Sequence, residues 1–189
     1  MSRSIGALIF AIMSCAWLGA CATQLSAPTA TFDNVQRLRQ AGVSPLSLGE
    51  FTRGPDLSEA RDQSVIIRAS SVRPPGGGTF SAYLRSVIET ELSAAGKFDP
   101  GSSRVLSGQL TRSEVSTGGS TAQGALGAQF RLTRDGEVVF DQEIVVEESW
   151  PSNFIGAIAI PDATNHYTGL YPQLFEALLA DPGFREAAQ

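Results

Sequence analysis

Phe80, Tyr83, Leu84, Val87, Ile88, Leu92 and Ala95 recur at steps of three and four, which places them on one face of a helix. Arg85, Ser86, Glu89 and Ser93 fall on the opposite face, and Gly96 stands where a left-handed C-cap belongs, so a helix is predicted from about Thr79 to Ala95. Pro74 to Gly78, two prolines and three glycines, stop the chain before it. Further upstream, Asp33 N-caps a short predicted helix that runs through Arg39 and ends at Gly42. Leu46–Thr52 and Ser64–Ser70 read as strands. Within the second, Val65-Ile66-Ile67 is a continuous apolar run, as expected of a strand covered on both faces.

Val105 to Trp150 reads as three antiparallel strands, because Leu106, Gly108 and Leu110 alternate with Ser107, Gln109 and Thr111. The Gly/Ser/Thr-rich stretch Thr117–Thr121 makes the first turn. For the second, a two-residue turn at Asp135-Gly136 would set Leu132 against Val139 and Phe130 against Asp141, mixing apolar and charged residues on one face. A three-residue loop, Arg134-Asp135-Gly136, sets Thr133 against Glu137, Leu132 against Val138, Phe130 against Phe140 and Leu126 against Ile144, and is preferred on that ground. A last helix is expected from Pro172 to Ala180, ended by Pro182-Gly183. The fold class that follows is α+β, with a single small sheet of four to five mostly antiparallel strands and two main helices packed on one face.

The first two dozen residues follow another pattern. Arg3 supplies positive charge, and Ile5 to Trp17 is an uncharged apolar run, inside the ~7–15 residues of a secretion signal and short of the ~20 that span a membrane. Leu18-Gly19-Ala20-Cys21 follows, and it resembles the lipobox of bacterial lipoproteins. That resemblance implies cleavage after Ala20, a diacylglyceryl group on the Cys21 thiol and an acyl chain on the new amine. Stable attachment takes two or more chains, so such a cysteine anchors the protein without a membrane-spanning helix. Ala22 in place of Asp favours the outer membrane over retention in the inner one. The organisation expected is a signal over 1–20, a flexible tether over 21–31 (small, polar, with lipidated Cys21 at its head) and one α+β domain over 32–189.

Removal of the signal takes Cys15 with it, leaving Cys21 as the one cysteine of a mature chain of about 169 residues. No disulfide, thiol nucleophile or cysteine metal site is then expected. The net charge is −5 and Lys97 is the only lysine. With no basic cluster, no nucleic-acid partner is expected.

Candidate chemistry is sparse, and neither an enzyme nor a cofactor is expected. His166 is the single histidine. It lies between Asp162, Asn165 and Thr168 and reads as a turn residue; a hydrolase built on it is a minor reading. Gly76-Gly77-Gly78 sits between a strand and a helix but lacks the lysine of a phosphate loop. Glu89 and Glu91, two apart on a helix, point away from each other, while Glu147 and Glu148 alternate across a strand. Both pairs read as solvated surface. Phe154-Ile155-Gly156-Ala157-Ile158-Ala159-Ile160 is uncharged and too short to cross a membrane. Two readings stand for it: an irregular segment that folds under the last helix and completes the core, which is preferred, or a loop that dips into lipid or docks on a partner. On the second, Phe154, Ile155, Ile158 and Ile160 form the contact surface.

With the box ending at Cys21 and this order of elements, the chain resembles the small envelope lipoproteins of the LptE and YajG kind. The resemblance implies a compact domain of two helices against a small sheet, tethered to the membrane through acyl chains and paired with an envelope protein. The expected function is a lipid-anchored accessory or scaffold on the periplasmic face of the outer membrane, acting in envelope assembly or transport through protein–protein contacts. The alternative is a lipid- or small-molecule-binding module with a pocket between sheet and helices.

Overall fold

A computed structural model describes residues 23–189, so the signal stretch and Cys21 lie outside the described residues. The helix predicted near Thr79 is α3, Phe80–Ala95. The Thr79 hydroxyl accepts from the Ala82 amide at 3.2 Å, and Gly96 closes the helix at φ +71°. A second acceptor comes from outside. Asp62, buried in the short helix α2 (Glu59–Gln63), takes the Ser81 amide at 2.8 Å and the Ser81 hydroxyl at 2.9 Å, satisfying a donor at the start of α3.

The larger sheet is an antiparallel meander of β5 (Arg104–Ser116), β6 (Thr121–Arg134) and β7 (Glu137–Pro151), with β2 (Ser47–Arg53) added parallel to β5. Its strand order is β2-β5-β6-β7. Leu106, Leu110, Leu126, Phe130, Leu132 and Phe140 face inward and are buried against α3 and α4 (Gly156–Ala180). α1 (Phe32–Gln40) packs over these two helices. The terminal α5 (Pro182–Ala187) sets Phe184 edge-on to Phe140 at 5.5 Å between ring centroids.

The α+β class and the helices packed against a mostly antiparallel sheet are as the residue pattern predicts. The strands, however, form two sheets. β1 (Thr23–Gln24), β4 (Ser70–Arg73) and β3 (Val65–Ile67) make a separate three-stranded sheet in the order β1-β4-β3. The strand expected over 64–70 is therefore a hairpin, turned at Arg68, whose φ of +55° lies in the left-handed region. Nor is the apolar run at 65–67 covered on both faces. Val65 and Ile67 are buried and Ile66 is 61% exposed, because the small sheet packs through one face only.

The stretch expected as a free tether is docked from Thr23 onward. Thr23 pairs with Val72, Leu25 is buried with its amide on the Arg73 carbonyl at 2.9 Å, and the Tyr83 hydroxyl donates to the Ser26 carbonyl at 3.0 Å. The composition there is small and polar, but Leu25 and the open edge of β4 are enough to capture it.

The β6–β7 hairpin corrects the preferred loop. The turn is the two-residue Asp135-Gly136, at φ +52° and +88°, closed by Arg134 opposite Glu137. The register then shifts one pair further in, from Thr133–Val138 to Leu132–Phe140. The extra residue, Val139, resolves the clash of faces that a plain two-residue turn would cause, and does so inside the strand. Phe130 consequently faces Gln142, and Leu126 faces Val146.

The helix expected from Pro172 starts at Gly156 and runs to Ala180 with Pro161 and Pro172 inside it, so neither an irregular segment nor a loop occupies 156–171. The Thr164 and Thr168 hydroxyls donate to the carbonyls of Ile160 and Thr164 at 2.8 and 2.7 Å, and the Pro172 carbonyl accepts from Asn34 Nδ2 at 3.0 Å. Buried Ala159, Ala163, Tyr167, Leu170, Leu174 and Leu178 form one stripe that passes both prolines. Burial of that stripe offsets the roughly 3 kcal/mol that an interior proline costs.

Candidate functional site

Among the described residues, β2 pairs with β5 only as far as Arg53 opposite Leu110, and β3 pairs only with β4. From Arg112 to Ser116, among the described residues, β5 therefore carries a ladder on one side alone, toward β6, while β3 packs alongside its other edge without pairing to it. Beside this open edge lies a groove of about 490 Å³. Its floor crosses the outer ends of β5, β6 and β7 at Arg112–Ser116, Gln123–Ala125 and Glu147–Ser149, and its wall is Arg61 with Ser64–Ile66.

The charges in the groove are paired yet open to water. Arg112 donates to Glu114 at 3.0 Å and also to Glu147, while Arg61 reaches Glu114 at 3.4 Å. The hydrogen bond to Glu114, then that to Glu147, hold the Arg112 guanidinium above its already high pKa. Exposed pairs of this kind are worth little to stability, so their partners can be exchanged for those of a ligand at small cost.

Under the groove the polar groups are fixed. Buried Ser113 shares a hydrogen bond of 2.6 Å with the Tyr167 hydroxyl, which lies 3.0 Å from the Tyr171 hydroxyl. Glu148 lines the groove and meets His166 Nδ1 at 2.7 Å, and the Trp150 ring stacks on the imidazole with centroids 4.4 Å apart. A Cβ on Gly124 would come 2.9 Å from a Leu170 methyl and 3.3 Å from the Trp150 ring. A bare backbone at that position thus lets β6 lie flat against α4.

His166 is accordingly a helix residue rather than a turn residue. Its second nitrogen lies 3.8 Å from Asp162 Oδ1, so the ring sits between two carboxylates. Two of the glutamates read as surface are not so placed. Glu148 is tied to His166, and Glu91 is fully buried, taking the Thr31 amide and hydroxyl and Asn34 Nδ2 at 2.9 to 3.2 Å. Glu89, on the open face of α3, pairs with Arg85 at 2.6 Å, and Glu147 is exposed. The Gly76–Gly78 stretch includes a tight turn, with Gly76 and Gly77 at φ +67° and +74°. Among the described residues no three His, Cys, Asp or Glu side chains cluster as a metal site, and no helix is long and apolar enough to cross a membrane.

Three of the four apolar candidates are open to solvent: Phe154 is 83% exposed, Ile155 59% and Ile158 52%. Ile160 departs from the set, being half-buried and packed on the core, because its helical position turns it inward. Cys21 lies outside the described residues. The groove and Arg68 have no local signature in the sequence, since both depend on which strand ends meet.

No established family profile matches the chain, and no curated protein does. Among solved structures it is similar to protein XCC0632 from Xanthomonas campestris, of family DUF330, at 13% identity and a TM-score of 0.49, over 84% of this chain and 91% of that one. It is also similar to the hypothetical protein CT253 from Chlamydia trachomatis, at 9% identity and a TM-score of 0.44, over 76% and 98%. A minor lipoprotein from Acinetobacter baumannii matches at 11% identity and a TM-score of 0.38, over 73% and 94%.

Proposed function

We propose that the chain is a lipoprotein, acylated on Cys21 and held on the periplasmic face of the outer membrane, that acts as a non-enzymatic accessory in envelope assembly or transport. Its domain takes a polar, extended segment of another envelope protein into the groove beside β5. The observation that carries this reading is the open edge at Arg112–Ser116 next to a 490 Å³ groove with exchangeable charges. The main-chain groups of β5 left without a ladder partner can bond such a segment, and the flanking charges select the partner.

The space between sheet and helices is filled instead by Tyr167, Tyr171, Phe80, Phe130 and Phe175, each under 2% exposed, which speaks against a lipid pocket there. Among the described residues, His166 between Glu148 and Asp162 has no hydroxyl or thiol nucleophile as a hydrogen-bond partner, which speaks against the hydrolase.

A photo-crosslinking residue at Ser116 of the full-length chain, expressed in its own envelope, tests the groove. One discrete adduct is expected, and Arg112→Glu, which sets three carboxylates together, is expected to cut its yield about tenfold, a change of about 1.4 kcal/mol. Arg131→Glu, on the same sheet face but paired with Asp141 outside this groove, serves as the control and should leave the adduct intact. An adduct indifferent to Arg112, or none at all, counts against the groove. The anchor is tested separately: Cys21→Ser is expected to leave an unprocessed or soluble form, and recovery of a mature membrane-bound protein would refute acylation.

A further inference from the structure

The small sheet places the start of the described chain, Thr23, and the exposed apolar residues at one end of the domain. β1 runs parallel to β4, with Thr23 opposite Val72 and Gln24 opposite Arg73, so the chain enters the sheet from the end of β4 where the Arg68 turn lies. Cys21 precedes Thr23 by two residues, which covalent geometry limits to about 7 Å. At that turn the Arg68 guanidinium reaches the other way. It donates to the Phe154 carbonyl at 3.1 Å, to the Asn153 carbonyl and to the Ser152 hydroxyl at 3.4 Å. Arg68 thus fastens the segment bearing Phe154, Ile155 and Ile158 to the edge of the sheet through which the chain arrives.

The chemistry of that segment suits lipid. No charged residue occurs between Glu148 and Asp162. Ile155 and Ile158 lie one turn apart on the open side of α4, while Ala159 and Ala163 face the core. Asp162, next along the open side, ends the apolar stripe after a single turn. Three backbone groups ahead of α4 are also provided for: Arg68 takes the carbonyls of Asn153 and Phe154, and the Ile155 amide donates to Asn153 Oδ1 at 2.8 Å. Polar backbone groups entering a bilayer must find partners within the protein, and these have them.

We propose that Phe154, Ile155 and Ile158 form a membrane-inserting knuckle that enters the lipid interface beside the acyl chains, giving the domain a second point of contact and one fixed orientation on the bilayer. The proposal rests on the acylation of Cys21 proposed above. A single lipid attachment leaves a domain free to tumble on its stem; an apolar wedge next to it removes that freedom.

The mature chain offers a clean test. With Cys21 acylated, Phe154→Cys supplies the only free thiol. The full-length lipoprotein carrying a nitroxide at this position is reconstituted into vesicles of phosphatidylethanolamine and phosphatidylglycerol. Relaxation by oxygen, which concentrates in lipid, is expected to exceed relaxation by a water-soluble nickel chelate several-fold. Ile158→Cys should behave alike, and Val138→Cys, 54% exposed at the far end of β7, should show the reverse. Relaxation by the nickel chelate at 154 and 158 overturns the proposal, as does protection from both reagents, which would mean that protein covers the patch. If the chain with its native residue at 154 takes up the label, the Cys21 thiol is free, and it is the anchor that has failed.

Discussion

Replacing Glu91 by alanine is expected to lower the thermal midpoint by about 10 °C. This carboxylate is fully buried, and it accepts from the Thr31 amide at 3.0 Å, the Thr31 hydroxyl at 2.9 Å and Asn34 Nδ2 at 3.2 Å. Thr31 is the N-cap of α1 yet makes no side-chain capping bond within its own helix; Glu91 of α3 instead ties down the N-cap residue itself, at the positive end of the α1 dipole. Alanine leaves the Thr31 amide and hydroxyl without an acceptor and Asn34 Nδ2 with the Pro172 carbonyl alone, at about 1–3 kcal/mol for each group that water does not reach, or about 3–5 kcal/mol in all. In a domain of this size each kcal/mol moves the midpoint by about 2–4 °C. Glu91→Gln keeps one carbonyl oxygen and should recover about half of the loss. Amide exchange would locate the damage: protection should fall first across Leu25 and α1, which Glu91 and α3 hold down. A shift below about 2 °C would show that water satisfies these donors and that Glu91 is not what docks the helix.

Glu91 also shows where sequence reasoning reaches and where it stops. The rule that residues two apart on a helix point away from each other is correct, and Glu89 does face solvent. The rule is silent on what Glu91 faces, because α1 arrives from about 60 residues upstream. The elements legible in advance are those whose signals are local: α3 between Thr79 and Gly96, the alternation along β5, and the need for a register shift in the β6–β7 hairpin. The position of that shift was not legible, since Val139 can be absorbed in the loop or in the strand with the same change of face. The first half of α4 was hidden by Pro161 and Pro172, although Ala159, Ala163, Tyr167, Leu170 and Leu174 already stand at helical spacing across them. Periodicity was the stronger signal there, and the prolines were overridden by burial. The exposure of Phe154, Ile155 and Ile158 agrees with the less favoured of the two readings that their uncharged run allows. The groove could not be read at all, because it exists only where β2 stops pairing at Leu110 while β5 continues.

Above pH 10 the domain is expected to unfold in one steep step that carries its tyrosines with it. The chain has three, Tyr83, Tyr167 and Tyr171, and all are buried in one cluster with Phe80. Burial pushes the Tyr83 hydroxyl up to about 12. It pushes Tyr167 higher, against a smaller opposing effect of the hydrogen bonds from Ser113 and Tyr171, and it raises Tyr171 well above the ordinary value. An unfolded tyrosine ionises near pH 10. Below that pH both states hold their protons and stability is intact. Above it the unfolded chain binds fewer protons than the folded one, so stability falls as pH rises toward the folded values. The three buried hydroxyls together give a slope of about 4 kcal/mol per pH unit, enough to exhaust a stability of about 5 kcal/mol between pH 11 and pH 12. Tyrosinate absorbance should then appear together with loss of helical circular dichroism, as a single transition. Tyr171→Phe removes one of the three protons while leaving the Ser113–Tyr167 bond in place, and should cut the slope by about a third. Gradual ionisation near pH 10 with the dichroism unchanged would mean that water reaches these hydroxyls in the folded state. In that case the chain of hydroxyls from Ser113, under the groove, to Tyr171 would be a wet channel and not the dry floor on which the groove rests.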